Sequence, residues 1–302
     1  MKSNEDEKLR EKFIKLLRDS VGIACEKEKK VGIFLSGGLD STLITFLAKE
    51  FSNEVIAYTI GYENSKDLEY VYKLMREMGD SNVKFKVKKI NVLNVKKNLK
   101  EILEILDEKQ RINPIQVSCA IPIYFASKEA KSDSLRVMLS GQGGDELFGG
   151  YNRYLNYLLK FGYQKLKKIL EEDVRNAYQD NLERDVKVSA SQGIKLKFPF
   201  MNEKIARFAL KIPIKLKIKE VLGDEKFSCI DIINGKKFIR KYLLRKIAED
   251  LNVPEFIINR SKKALQYGSG SWKILEKISR EEGFKGKNNI YLYLEDLTKK
   301  IF

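Results

Sequence analysis

The chain has 302 residues, 43% hydrophobic and 33% charged, which is enough length and apolar content to bury a sizeable core in one large domain or two closely joined ones. No run of about 18 apolar residues occurs, and the opening Met1-Lys-Ser-Asn-Glu-Asp-Glu-Lys has no apolar signal core. Neither a membrane span nor an export signal is expected, and the protein should be cytoplasmic.

The elements follow in order. Residues 5–24 carry Leu9, Phe13, Leu16, Leu17 and Val21 at helical spacing, a lead-in helix within segment 1–27. Strand 31–36 and helix 41–50 come next, then strand 55–60, helix 67–78 ending at Gly79, and strand 83–90. Helices at about 94–107 and 118–131 and the strand 136–140 extend this repeat. Segment 28–150 is thus an α/β unit with a doubly wound, mostly parallel sheet, in which ligands sit at the carboxyl ends of strands. Beyond Tyr151 the strand signals fade, and Tyr154, Tyr157, Leu158 and Phe161 recur at helical intervals. Segment 151–302 reads as mainly helical, punctuated by Pro199 and Pro213, with a loop at 283–289 before a short terminal helix.

The formal charge is +16, from 58 basic and 42 acidic residues. Such an excess raises RNA as a partner, but the lysines are scattered from end to end, those of 84–89 alternating along a strand, and no basic arm stands out. A solvated Lys/Glu-rich surface is the preferred reading. Cys25, Cys119 and Cys229 lie far apart in a chain without histidine, so they are read as reduced packing residues rather than disulfide partners or zinc ligands.

Two stretches carry chemistry. In the first, Val31-Gly-Ile-Phe-Leu-Ser36-Gly-Gly-Leu-Asp40-Ser41, an apolar strand stops at two glycines and restarts as a helix. Gly37 and Gly38 can take positive φ, so that backbone N–H groups and the helix N-terminus form a concavity for a phosphate. Such turns also serve plain backbone geometry. The loop lacks a Walker lysine and places Asp40 where phosphates would sit, which calls for Mg²⁺ beside Asp40. The second stretch, Ser140-Gly-Gln-Gly-Gly-Asp145-Glu146-Leu-Phe-Gly-Gly-Tyr151, again follows a short apolar strand and should face the same site. Asp40 and Asp145 can then share a cation bridging a triphosphate, although helix-start capping alone would also place Asp145 and Glu146 there.

Together the two loops resemble the synthetase domain of the class B asparagine synthetases and their relatives, the β-lactam synthetases. The resemblance continues through Asn181-Leu-Glu-Arg-Asp185, Phe198-Pro-Phe-Met201, Lys236-Lys-Phe-Ile-Arg240 and Arg260-Ser-Lys262, in family order, from about residue 10 to about 275. It implies an adenine nucleotide alpha-hydrolase-like fold and ATP-dependent amide formation, in which a carboxylate (aspartate is the family default) is adenylylated, pyrophosphate leaves and an amine displaces AMP. Ser36, Gly37, Gly38 and Ser41 would hold the pyrophosphate, Asp40 and Asp145 the Mg²⁺, and Ser140 and Gly141 would lie near the adenosine. Phe34 and Ile60 would wall the adenine. Lys262 would stabilise the charge that develops at the adenylate and on pyrophosphate. Lys236 and Arg240, at i and i+4 on one helical face, are further phosphate candidates.

The chain departs from the family in three places. Gln142 stands where the asparagine synthetases have glutamate and the lactam synthetases tyrosine, and an amide cannot serve as a general base. Lys195 stands where the family has a glutamate four residues before proline. Lys2 replaces the cysteine of a glutaminase domain, so the resemblance implies nitrogen from free ammonia, another amine or a separate glutaminase subunit. Two rival readings share the first loop: a tRNA-modifying ATP pyrophosphatase that uses the basic surface, and a degenerate nucleotide-binding subunit that supports a partner.

Overall fold

The computed structural model describes residues 2–79 and 82–302. Five parallel strands form the central sheet: β1 (Lys30–Phe34), β2 (Glu54–Gly61), β3 (Val83–Lys89), β4 (Val137–Ser140) and β5 (Lys195–Lys197), in the order β3-β2-β1-β4-β5. The chain runs outward from β1 through β2 to β3 and then returns to the other side of β1 as β4. The order therefore reverses between β1 and β4, and this switch point is where an open α/β sheet leaves a crevice outside its carboxyl ends. Both glycine loops begin there, one directly after Phe34 and the other directly after Ser140.

Strand periodicity sorts the apolar side chains between two cores. Val31, Ile33 and Leu35 join Val55 and Ala57 on one face, against Leu43 and Leu47 of helix Leu39–Ala48 and Phe13 and Leu17 of helix Lys2–Cys25. Ile56, Tyr58 and Ile60 point the other way, into a second cluster with Leu99, Ile102, Ile121 and Tyr124. Nine of the ten residues of Leu39–Ala48 are buried, and the exception is Asp40, at the end that faces the crevice. The N-terminal helix is fixed to the second half of the chain as well, where Ser20 Oγ donates to the Pro199 carbonyl at 2.9 Å. On edge strand β3 the alternating lysines face acids: Lys84 pairs with Glu54 at 2.9 Å, Lys86 with Asp133 and Lys88 with Glu129. Charged edges of this kind block pairing with another strand.

The second half departs from its helical reading in two places. Residues 195–197 add β5 to the sheet, and β6 (Ile218–Val221), β7 (Asp231–Ile233) and β8 (Lys236–Arg240) form a separate antiparallel sheet in the order β6-β8-β7. These strands are three to five residues long, too short for an apolar alternation to read. The legible signal was the turn: Asn234-Gly235 joins β7 to β8 with both residues at positive φ, 52° and 75°, the conformation that two-residue hairpins favour. Lys236 and Arg240 consequently share a strand and not a helical face. Cys25, Cys119 and Cys229 are free and buried. Among the described residues no helix is long and apolar enough to cross a membrane.

Candidate active site

The loop after β1 reaches helix Leu39–Ala48 through Gly37, at φ 68°, and Gly38, which is extended at φ −81° and caps the helix without a side-chain hydrogen bond. Positive φ is therefore confined to Gly37. Ser41 Oγ donates to the Gly38 carbonyl at 3.2 Å and lies 3.1 Å from Ser36 Oγ, which ties the two serines together at the helix start. From behind, Arg260 clamps the loop. Its Nη1 donates to the Ser36 carbonyl at 2.7 Å, its Nη2 to Asp67 Oδ1 at 2.5 Å, and its guanidinium stacks 4.2 Å over the Tyr70 ring.

The second loop lies directly on the first. A Cβ on Gly141 would stand 2.6 Å from the Ser41 backbone nitrogen, and one on Gly144 would stand 2.7 Å from Asp40 Cγ, so only glycine permits this approach. It brings Asp40 and Asp145 to opposite sides of one ammonium, that of Lys241, which is hydrogen-bonded to Asp40 Oδ2 and lies 2.6 Å from Asp145 Oδ1. A second ammonium, Lys262 Nζ, sits 2.7 Å from Asp145 Oδ2. Burial acts against the charge of Asp145, but Lys241 and Lys262 outweigh it and hold the carboxyl well below the usual carboxylate range. At Asp40 burial prevails and raises the carboxyl, with Asp145 adding to the rise. Burial also disfavours the Lys262 ammonium, yet Asp145 and Asp40 overcome it and raise its pKa.

These loops floor a cleft of about 340 Å³. Asp40 Oδ1 is buried there without a hydrogen-bond partner, and Asp145 Oδ1, though 2.6 Å from the Lys241 ammonium, has no aligned hydrogen bond either; both are hard oxygens of the kind that ligate Mg²⁺. Among the described residues no group of three or more histidine, cysteine, aspartate or glutamate side chains could hold a metal. A cation here would thus need phosphate oxygens besides the two aspartates, which fits Mg²⁺ arriving with a nucleotide.

The cleft gathers every predicted site residue except Gly37, Ile60, Lys236 and Arg240. Gly37 packs under Arg260 and Tyr70. Ile60 shares Phe34's face of the sheet, since Phe34 pairs with Tyr58, but it is buried in the core cluster there and does not reach the cleft, whereas Phe34 lines it. Lys236 is exposed on β8 and paired with Glu220 at 3.3 Å. Arg240 is buried, bound to both Asp231 oxygens at 2.7 and 2.8 Å and to the Gly150 carbonyl, and serves the scaffold. Sequence reasoning missed Lys241, one residue further on, and the clamping part of Arg260.

Gln142 lines the cleft and donates through Nε2 to Asp185, which is fully buried beside Arg184. Burial pushes the Asp185 carboxyl up to about 6 despite Arg184. Arg184 in turn donates to Gln116 Oε1 at 2.7 Å. Glu146, also buried at the cleft, accepts from the Tyr151 hydroxyl at 2.6 Å, and burial, with Asp145 next, raises its carboxyl. Two buried carboxyl groups therefore stand close to the cleft, Glu146 in its lining and Asp185 behind Gln142, although none stands at position 142. Lys195 is exposed on β5 and is not part of the lining.

A parallel sheet with its cleft at the switch point, floored by two glycine loops, defines an α/β protein of the adenine nucleotide alpha-hydrolase-like class. The asparagine synthase family model matches residues 12–165 and 159–295, and the chain belongs to that family. It is 38% identical, over its full length, to the putative asparagine synthetase (glutamine-hydrolyzing) 1 of Methanocaldococcus jannaschii, of which it covers 57%. It is 27% identical to asparagine synthetase (glutamine-hydrolyzing) 1 of Bacillus subtilis over 85% of this chain and 49% of that one. With the human asparagine synthetase (glutamine-hydrolyzing) the figures are 26%, 83% and 42%. The chain spans about half the length of the curated relatives it matches.

Proposed function

We propose that this chain is an ATP-dependent carbon–nitrogen ligase that adenylylates a carboxylate and passes the acyl group to ammonia or another amine, releasing AMP and pyrophosphate. The observation that carries the reading is the convergence of three distant segments, 36–41, 140–146 and 260–262, on one cleft at the sheet's switch point. Ser36, Gly38 and Ser41 would face the leaving pyrophosphate at the start of helix Leu39–Ala48, with Gly37 shaping the turn. Phe34, Ser140 and Gly141 would receive the adenosine. Asp40 and Asp145 would hold Mg²⁺, which when bound neutralises phosphate charge. Lys262 would stabilise the negative charge that grows as the α-phosphate bond to pyrophosphate breaks. Gln142, held by Asp185, would face the incoming amine as a neutral hydrogen-bonding group, so the amine must arrive already deprotonated or lose its proton elsewhere. Aspartate is the acid favoured by the relatives' names, and the nitrogen donor is free ammonia, another amine or a glutaminase subunit.

The test is product analysis with ATP, Mg²⁺, candidate acids and ammonium. AMP and pyrophosphate formed in step with an amide are expected. ADP and orthophosphate in their place would overturn the reading, and pyrophosphate release that depends on added tRNA would favour the tRNA-modifying alternative.

A further inference from the structure

Lys241 has an unusual position for a lysine. It joins β8 to helix Tyr242–Asp250 at φ 55°, the left-handed region that a residue with a Cβ enters only at a cost in strain. That turn sends its side chain inward, where only 3% of it remains exposed, to the one point that touches Asp40 and lies 2.6 Å from Asp145. The surroundings are cut to fit: a Cβ on Gly150 would overlap both Asp145 Oδ1 and Lys241 Cε. The ammonium therefore occupies the place where a cation shared by the two aspartates belongs.

Formal charge sharpens the point. Two carboxylates, Asp40 and Asp145, face two ammoniums, Lys241 and Lys262, so the cluster is balanced as it stands. A divalent cation entering alone would leave two positive charges in a buried site, and it would find two protein carboxylates and no third acidic, histidine or cysteine group among the described residues. A nucleotide triphosphate supplies both the missing negative charge and the missing oxygens.

We propose that Lys241 is a resident counter-ion which holds the seat between Asp40 and Asp145 and yields it only to a cation that arrives with a nucleotide triphosphate, so that metal and nucleotide bind together and the metal does not bind first. The inference rests on the reading that Asp40 and Asp145 ligate the cation. Mn²⁺ binding followed by electron paramagnetic resonance tests it on the full chain, without nucleotide and with α,β-methylene-ATP, each read against the same solution lacking protein. Nucleotide-free wild type should bind Mn²⁺ weakly and the analogue-loaded protein tightly. Nucleotide-free Lys241→Met should bind Mn²⁺ about tenfold or more tighter than nucleotide-free wild type, since close charge pairs couple by more than 1 kcal/mol. Equal Mn²⁺ affinity of nucleotide-free wild type and Lys241→Met overturns the proposal. Should the variant fail to fold by circular dichroism, equal affinity of wild type with and without the analogue overturns it, and a gain on adding the analogue upholds it. Asp145→Asn separates the two layers: if the Mn²⁺ bound with the analogue is unaffected by that change, the cation site itself has been misassigned.

Discussion

The two ends of the cleft bury charge at similar depth and compensate for it differently. At the phosphate end Asp40 and Asp145 meet two lysines, and Asp145 stays far below the ordinary carboxylate range. At the Gln142 end Asp185 meets one guanidinium and a neutral amide, and burial prevails, leaving its carboxyl near pH 6. The number of contacting cations therefore decides whether a buried carboxylate here stays charged across the working range. On the proposed reading the first end would take the large charges of a polyphosphate, and the second a smaller and more nearly neutral group.

Lys262→Met should break this contrast most sharply. With a supporting acid and amine, the AMP-forming kcat should fall by about 10³-fold, the scale of a lost charge-stabilising donor, while the fold measured by circular dichroism is retained. A loss below about tenfold would move the transition-state cation elsewhere. Next comes Arg260→Gln, which releases the Ser36 carbonyl and leaves Asp67 buried and unpaired. Unfolding in urea should show a stability loss of about 3 kcal/mol, as expected for one partner removed from a buried pair. Gln142→Glu would bring a second carboxyl beside Asp185 and make this end resemble the asparagine synthetases. The ratio of kcat/KM between ammonia and larger amines should shift by about tenfold, and an unchanged ratio would remove residue 142 from amine selection.

The smallest expected effect is on pH dependence. Because folding raises the Asp185 carboxyl from its ordinary 3.8 to about 6, the folded protein holds this proton more tightly than the unfolded chain between those values. The stabilisation is complete below pH 3.8 and is lost as pH rises through about 6. Compared with wild type, Asp185→Asn should lack a slope of at most about 1.4 kcal/mol per pH unit in that window, measured by denaturant titration at successive pH values. Parallel profiles of the two proteins would mean that Asp185 is charged throughout.

Much of the fold and of the phosphate end was legible because the determinants are local. Apolar runs broken by Gly37-Gly38 and by Gly141 to Gly144 mark strand ends, and strand ends in a doubly wound sheet mark the ligand crevice. The weak points were segments whose character depends on distant partners. β5 to β8 are only three to five residues long, too short to show a period of their own, and the Asn234-Gly235 turn is their clearest local signal. Ile60, near a strand end and on the same sheet face as Phe34, reads as a wall residue, but the packing over that face buries it in the core.

By itself the sequence determined the α/β order and the position of the two glycine loops that carry Asp40 and Asp145, since each is set by residues within a few positions along the chain, whereas Lys262 stands out from the other lysines only through the family resemblance. Only the tertiary structure decided that Lys241, and not Lys236, enters the cleft, that Arg260 braces Ser36, and that Asp185 holds Gln142. The reason is physical: each of those side chains finds its partner across tens to hundreds of residues, and its orientation follows from a turn or a buried charge that no neighbouring residue reveals.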